Sequence, residues 1–362
     1  MSSARAVPAL ILLGLAALLG VGIWLLSETP GTLVNEEPPR LGPTRQPGGE
    51  TVIVQVEQGD SARDVGEKLE DAGVIQSARL FRVLTSLMGV GDDLVTGDYE
   101  FERGETALSA VRRISQGVTA PLIVTIPEGL RAEEIGELLE RRGVISADEF
   151  RRALGDEYQV SFLAELPPGA GLEGFLFPAT YGFSRETSGH QVVQQLLDAF
   201  DQRYRERLLP ELAAADARPL YEIVVLASIV EREARVPEER PLIASVFLNR
   251  LELGLPLQAD PTVQYALGND PESVRQFGYW KQELTLADLL VASPYNTYVN
   301  VGLPPGPIAN PGLDSLLAAV RPAETNYLFF VARPDGSHVF AETLEEHRRN
   351  VCEIDPSRPE CG

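Results

Sequence analysis

Cysteine and histidine are scarce in this chain of 362 residues, which has two cysteines and three histidines. His190, His338 and His347 are widely spaced and form no ligand set, so the sequence predicts neither a metal site nor a cofactor. Cys352 and Cys361 both lie near the C-terminus, where a catalytic cysteine is not expected. In an oxidising compartment they could close a small terminal loop, and the sequence leaves that pairing open.

Basic side chains are also in the minority, since 31 lysines and arginines accompany 53 aspartates and glutamates, for a formal net charge of −22. A nucleic-acid binder needs clustered basic residues to neutralise phosphates, so no nucleic-acid partner is predicted. The same charge excludes electrostatic docking on an anionic membrane surface. The apolar fraction of 44% is that of a globular protein, and the length predicts two folded domains.

One long apolar run, Ala9 to Leu26, stands at the N-terminus and is 18 residues long, enough to cross a bilayer. Arg5 precedes the run and Glu28 follows it, an asymmetry that predicts a cytoplasmic N-terminus. A cleaved signal peptide is the alternative, but its apolar stretch is usually only ~7–15 residues long. We therefore predict a cytoplasmic tip and retained single-pass anchor at 1–26, then a linker rich in proline and glycine at 27–50.

The next part of the chain contains an internal duplication. Residues 51–84 align with residues 121–154 at a constant offset of 70, and 13 of the 34 positions are identical. Each copy predicts a strand, a glycine turn, a helix that ends at a glycine, and a second short helix. A weaker similarity, at an offset of 82, predicts a returning strand around Tyr99 in the first copy and around Tyr181 in the second. Relative to the offset of 70, this strand comes twelve positions later in the second copy. The strand-helix-helix-strand order of the first copy resembles the glycan-binding LysM fold.

The second copy carries an insertion of about twelve residues, 167–178, which we call the insertion loop. A loop added to a duplicated scaffold is a natural place for function, and Glu173 lies within it. A solvated loop glutamate without function is the alternative. The duplication thus predicts two related α+β modules, at 51–120 and 121–205.

A predicted helix from Leu220 to Ala234 carries the candidate catalytic carboxylate. Glu231 lies at the boundary of its apolar stripe, and Glu233 lies about 200° around the helix, so the two carboxylates cannot face each other. An ion pair between Glu231 and Arg235, one turn further on, is the purely structural alternative.

Two later segments, 257–265 and 293–312, combine tyrosines and amides with rigid proline-rich loops. Such side chains suit sugars, because sugar rings stack on tyrosine and N-acetyl groups pair with amides. Ordered structural loops are the alternative. Asp260 precedes Pro261, and this favours a helix-capping role over that of a second catalytic carboxylate.

Read together, these motifs closely resemble the endolytic murein transglycosylase family, also called YceG-like. The matching segments are ASIVE at 227–231, ASVFLNRL at 244–251, LQADPTV at 257–263, YNTY at 295–298, GLPPGPI at 302–308 and the tail at 327–350. The insertion loop matches at 173–174 and 177–178. The resemblance implies an α+β protein with one N-terminal transmembrane helix, a LysM-like module at 51–120 and a mixed α+β catalytic domain at 121–351. Within that domain, residues 219–351 carry a central catalytic helix and its loops, and 352–362 form a tail outside the match.

The resemblance also implies an activity: endolytic cleavage of the bond between N-acetylmuramic acid and N-acetylglucosamine in peptidoglycan, without water. The products carry 1,6-anhydro ends, and strand length is thereby limited. The family's catalytic glutamate maps to Glu231, and one carboxyl suffices as acid and then base, unlike the pair of most glycosidases. The residues predicted to line the glycan cleft are Glu173, Ser228, Gln258, Asp260, Thr262, Tyr295, Asn296, Thr297 and Tyr298.

The expected location is the bacterial cytoplasmic membrane, with the catalytic domain on the periplasmic side. Peptidoglycan strands are the predicted partner, and penicillin-binding peptidoglycan synthases are candidate protein partners. Two other functions stay open, namely a hydrolytic muramidase and a wall-binding scaffold without turnover. The tail predicts a hairpin, with strands 327–332 and 338–341, and a helix 344–351, packed against the catalytic helices.

Overall fold

In the computed structural model the described residues are 50–91, 93–215, 218–358 and 361, and they form the predicted mixed α+β fold. The predicted anchor and most of the predicted linker lie outside these residues. Within the described ranges, no helix combines the length and the apolar character that a membrane crossing requires.

The described residues contain six strands in three antiparallel pairs and thirteen α-helices. The strands are β1 (Thr51–Val56), β2 (Gly97–Glu102), β3 (Leu122–Thr125), β4 (Thr180–Phe183), β5 (Phe329–Ala332) and β6 (His338–Ala341). The first helices are α1 (Ala62–Asp71), α2 (Ala78–Met88), α3 (Ala107–Ser115), α4 (Ala132–Arg141), α5 (Ala147–Ala153), α6 (Gly189–Arg203) and α7 (Leu209–Ala215). The later helices are α8 (Leu220–Glu233), α9 (Arg240–Glu252), α10 (Asp260–Leu267), α11 (Pro271–Phe277), α12 (Leu313–Val320) and α13 (Leu344–Ile354).

The two copies of the duplication fold alike. In the first copy β1 pairs with β2, and in the second β3 pairs with β4, each time with two helices between the strands. Gly73 and Gly143 follow the first helix of each copy, and both have φ of +71°. Only glycine adopts this left-handed conformation at little cost, so the predicted glycine helix ends are confirmed.

The apolar side chains form two separate cores. One is formed by the elements from β1 to α3 along the chain and includes Leu69, Phe81 and Phe101. The larger one joins the second copy to α8, α9 and α12. Helix α8 is buried at every position from Ile223 to Val230, so it runs through the middle of the larger core, and its burial ends in the last turn.

The C-terminal hairpin packs against the helices, as the sequence predicts. Phe330 of β5 meets Phe247 of α9 edge to face, with ring centroids 5.8 Å apart. His338 of β6 is held by Glu239, which accepts from its backbone N–H and lies 2.7 Å from its Nδ1. Cys352, in the last turn of α13, and Cys361 form a disulfide that closes a short terminal loop.

Candidate active site

A pocket of about 340 Å³ opens where the last turn of α8 meets the loop before α10, the loop at 295–298 and strand β5. Three of the predicted cleft residues line it: Gln258, Asp260 and Tyr298. Glu233 and Arg250 join them in the pocket wall. The remaining lining residues are Leu257, Phe329, Phe330, Ala332, His338 and His347.

Glu233 is the carboxylate of α8 that faces this pocket. It is the last residue of the helix and is half-buried, and no side chain or backbone group of the described residues donates a hydrogen bond to it. Burial raises the pKa of Glu233 to about 8, the negative charge of Asp260 acts in the same direction, and Arg232 and Arg235 oppose the change. Glu233 is therefore mostly protonated at neutral pH, which is the state that a general acid requires.

Asp260 receives a hydrogen bond of 2.6 Å from the phenolic oxygen of Tyr298. It is the first residue of α10, whose N-cap is Ala259, and no side chain caps this helix. The prediction that Asp260 caps the helix is therefore wrong. The carboxylate of Asp260 instead accepts a hydrogen bond from Tyr298. This bond fixes the loop at 295–298 beside the start of α10.

Thr262 and Thr297 lie behind the pocket and are buried. Their hydroxyls are 2.8 Å apart, and the hydroxyl of Thr297 also accepts from the backbone N–H of Ala259. The carbonyl of Thr297 accepts from the N–H of Gln258 at 3.1 Å. These two threonines thus join the two pocket loops from the inside of the protein.

Ser228 and Asn296 are also buried and make their contacts within the protein. The hydroxyl of Ser228 donates to the carbonyl of Val225 and accepts from the N–H of Ile308, which ties a proline-rich loop to α8. The side-chain amide of Asn296 donates to two backbone carbonyls of the preceding loop, those of Leu289 and Val291. Neither residue lines the pocket.

Glu173 and Tyr295 lie elsewhere. Both oxygens of Glu173 are 3.1 Å from the N–H of Ala132 at the start of α4, and Oε1 also accepts from Asn310 at 2.6 Å. Burial raises the pKa of Glu173 to about 8. The ring of Tyr295 packs on Tyr265 with centroids 4.7 Å apart. The insertion loop therefore reaches the start of a helix, outside the pocket wall.

Glu231 points to another side of α8 from Glu233. One of its oxygens accepts from the N–H of Gly312 at 3.1 Å and from the hydroxyl of Ser315 at 2.7 Å, at the start of α12. The other oxygen lies 3.5 Å from the guanidinium of Arg240, so the alternative pairing with Arg235 is replaced by this one. The side chain is only 8% exposed. Both oxygens therefore have protein partners, and Glu231 supports the packing of α12 on α8.

The sequence interpretation missed Glu233 and Arg250 as candidate functional residues. The position of Glu231 at the edge of an apolar stripe was a weak guide, because α8 is buried on nearly all sides up to Val230. The last turn of the helix, where burial ends, contains both glutamates, and only the packing of distant loops separates them.

The comparisons with known proteins agree on one family. Residues 54–353 match the YceG-like family. The endolytic murein transglycosylase of Bacillus subtilis (strain 168) is 30% identical over 326 residues, covering 85% of this chain and 86% of that protein. That of Streptococcus pneumoniae serotype 2 is 30% identical over 329 residues, covering 83% of this chain but only 58% of that protein. The crystal structure of a yceG-like protein from Listeria monocytogenes superposes with a TM-score of 0.56 at 32% identity, covering 83% of this chain and 99% of that one.

Proposed function

Since the chain belongs to the YceG-like family, we propose that it is a lytic transglycosylase that cleaves peptidoglycan glycan strands between N-acetylmuramic acid and N-acetylglucosamine. The observation that carries the proposal is Glu233, a carboxyl whose pKa is raised to about 8, in a pocket lined by the amide of Gln258 and the ring of Tyr298. The names of the similar proteins supply the substrate class.

In the proposed reaction Glu233 acts twice. As an acid it gives its proton to the glycosidic oxygen, and the bond from that oxygen to C1 of the muramic acid breaks. As the resulting carboxylate it takes the proton of the C6 hydroxyl, whose oxygen then bonds to C1. The net change is one C–O bond exchanged for another within the glycan strand, and water takes no part. One carboxyl is enough for both steps, whereas most glycosidases need two.

Glu233 replaces Glu231 in this proposal. Glu231 has protein partners on both oxygens and is 8% exposed, whereas the Glu233 carboxyl has no hydrogen-bond donor among the described residues and lines a pocket. The sequence prediction of Glu231 stays as the alternative. Asp260 is proposed to tune Glu233, because its negative charge helps to raise the pKa of that carboxyl and Tyr298 holds it in place.

The cellular setting is part of the proposal. The apolar run at 9–26 would anchor the chain in the bacterial cytoplasmic membrane, with residues 51–120 as a LysM-like module and 121–351 as the catalytic domain on the periplasmic side. Endolytic cleavage close to the membrane would limit the length of new strands, and this position suits penicillin-binding peptidoglycan synthases as partners.

The direct test incubates the full chain with peptidoglycan and analyses the soluble fragments by mass spectrometry. The proposal expects anhydro-ended fragments. Ends heavier by one water would indicate a hydrolytic muramidase instead. Protein that sediments with peptidoglycan and releases no fragment would indicate a binding scaffold, and either result overturns the proposal.

The activity is expected to fall as the pH rises above about 8. Glu233 must carry its proton to act as an acid, and the pKa of this carboxyl is raised to about 8. Above this pH, kcat/KM should decrease by about tenfold for each pH unit. The measurement is the rate of anhydro-end formation between pH 6 and pH 10. A flat profile up to pH 10 would contradict the role of Glu233.

In Asp260→Asn, the alkaline decrease of kcat/KM is expected to begin at a lower pH. The charge of Asp260 contributes to the raised pKa of Glu233, and the amide can still accept the hydrogen bond from Tyr298. The pH profile of the variant should therefore move toward acid while its melting temperature stays near that of the wild type. Asp71→Asn, which removes an exposed charge at the end of α1, is the matched control and should leave the profile in place.

A further inference from the structure

Gln258 has an unusual backbone conformation for its residue type. Among the described residues it is the one non-glycine residue with a left-handed backbone, at φ +52°. An L side chain is strained there, and such strain persists only where neighbouring groups hold it. Gln258 lines the pocket that contains Glu233, so the strain lies at the proposed active site.

Arg250 of α9 holds this residue in place. One terminal nitrogen of its guanidinium, Nη1, donates to the carbonyl of Leu257 at 3.0 Å, and the other, Nη2, donates to Oε1 of Gln258 at 2.7 Å. The guanidinium carbon lies 5.3 Å from the centre of the Phe329 ring, which supports it on β5. The N–H of Gln258 is fixed in turn by the carbonyl of Thr297.

This arrangement determines which end of the Gln258 amide is available. A guanidinium can only donate hydrogen bonds, so the amide oxygen must face Arg250. The amide nitrogen, Nε2, is then at the other end, and within the described part of the chain no group accepts from it. Gln258 is exposed, so both N–H groups of its Nε2 are open to an acceptor on a bound substrate.

We propose that Arg250 is a positioning residue that orients Gln258 so that its Nε2 donates to an N-acetyl carbonyl oxygen of the glycan. The inference rests on the proposed function and deepens it. A sugar hydroxyl can donate or accept and does not need a donor of fixed orientation, whereas an acyl oxygen only accepts. The negative charge of Asp260 in the same pocket disfavours an anionic group, so a neutral acyl oxygen fits this donor better.

The test compares glycan strands in their N-acetylated form with the same strands after N-deacetylation. Strands that have been acetylated again serve as the substrate control. The ratio of kcat/KM for the two forms is measured for the wild type, Gln258→Gly and Arg250→Lys. Glycine adopts the left-handed conformation without strain, so Gln258→Gly removes the amide and does not endanger the fold. Arg250→Lys keeps the charge but cannot hold two acceptors in one planar fork.

The wild-type preference for N-acetylated strands is expected to fall about tenfold or more in both variants, mainly through KM, since the site loses a hydrogen bond to substrate. The double variant should lose no more than Gln258→Gly alone, because Arg250 acts through Gln258. Arg275→Lys, an exposed arginine of α11, is the matched control and should keep the wild-type ratio.

An unchanged ratio in Gln258→Gly overturns the inference. So does an Arg250→Lys variant that folds and keeps the wild-type ratio. If Arg250→Lys does not fold, as judged by its thermal unfolding, the result for Gln258→Gly decides. Failure of the proposed function has a different signature, since the wild type would then release no anhydro-ended fragment from N-acetylated strands.

Discussion

Glu233→Gln is expected to reduce the formation of 1,6-anhydro ends by about 10²–10⁴-fold, the usual contribution of a positioned general acid or base. Glutamine has the same size but can neither give a proton to the glycosidic oxygen nor take one from the C6 hydroxyl. The side chain is half-buried and accepts no hydrogen bond from the described residues, so the fold should not depend on its charge. The measurement is the rate of appearance of anhydro-ended fragments by mass spectrometry, with thermal unfolding as the check on folding.

Glu231→Gln is the matched control, because it changes the same residue type two positions earlier on the same helix. It should retain activity within a few-fold. Its free energy of unfolding should fall by about 1–3 kcal/mol, because a charged acceptor of the Gly312 N–H and the Ser315 hydroxyl is lost. The opposite pattern, with Glu231→Gln inactive and Glu233→Gln active, would return the catalytic role to Glu231.

The parts of this protein that the sequence predicts well are those determined by local patterns. Gly73 and Gly143 occupy equivalent positions in two copies, and a glycine after an amphipathic helix predicts a left-handed end wherever it occurs. The strands around Tyr99 and Tyr181, and the hairpin at the C-terminus, follow from alternation and turn residues in the same way. None of these features requires knowledge of a distant residue.

The candidate site was harder to predict because its composition depends on contacts between distant segments. Thr262, Thr297 and Asn296 are polar and lie beside a tyrosine-rich motif, which is typical of sugar-binding residues. In the fold they are buried, and buried polar groups pair with nearby backbone and side chains of the protein. They shape the pocket from behind and do not line it.

The choice between Glu231 and Glu233 illustrates the same limit. Both lie in the last turn of one helix, and the local sequence does not tell which loop packs on which side. Glu231 meets the start of α12 and Glu233 meets the loop before α10, and these partners are 81 residues and about 25 residues away along the chain. Asp260 is a related case, because an Asp-Pro pair predicts a cap locally, but Tyr298 takes the carboxylate.

Among the proposed substitutions, Asn310→Ala is expected to cause the largest loss in the free energy of unfolding, about 3–5 kcal/mol. It removes a buried side-chain amide whose donors and acceptor are all hydrogen-bonded. Asn310 is 0% exposed. Its oxygen accepts from the N–H groups of Gly174 and Leu176 in the insertion loop, at 2.8 and 2.9 Å. Its nitrogen donates to the carbonyl of Leu130 at 2.9 Å and to Glu173 at 2.6 Å. Alanine would leave two buried N–H groups, a carbonyl and a carboxylate without this partner.

Chemical denaturation of the variant measures the loss, and Asn300→Ala is the matched control. Asn300 is exposed and donates to two backbone carbonyls, those of Ser293 and Asn296, so its removal should cost no more than about 1 kcal/mol. Equal losses in the two variants would contradict the role given to Asn310. A larger loss for Asn310→Ala would mean that one side chain holds the insertion loop, and through Glu173 the start of α4, in place.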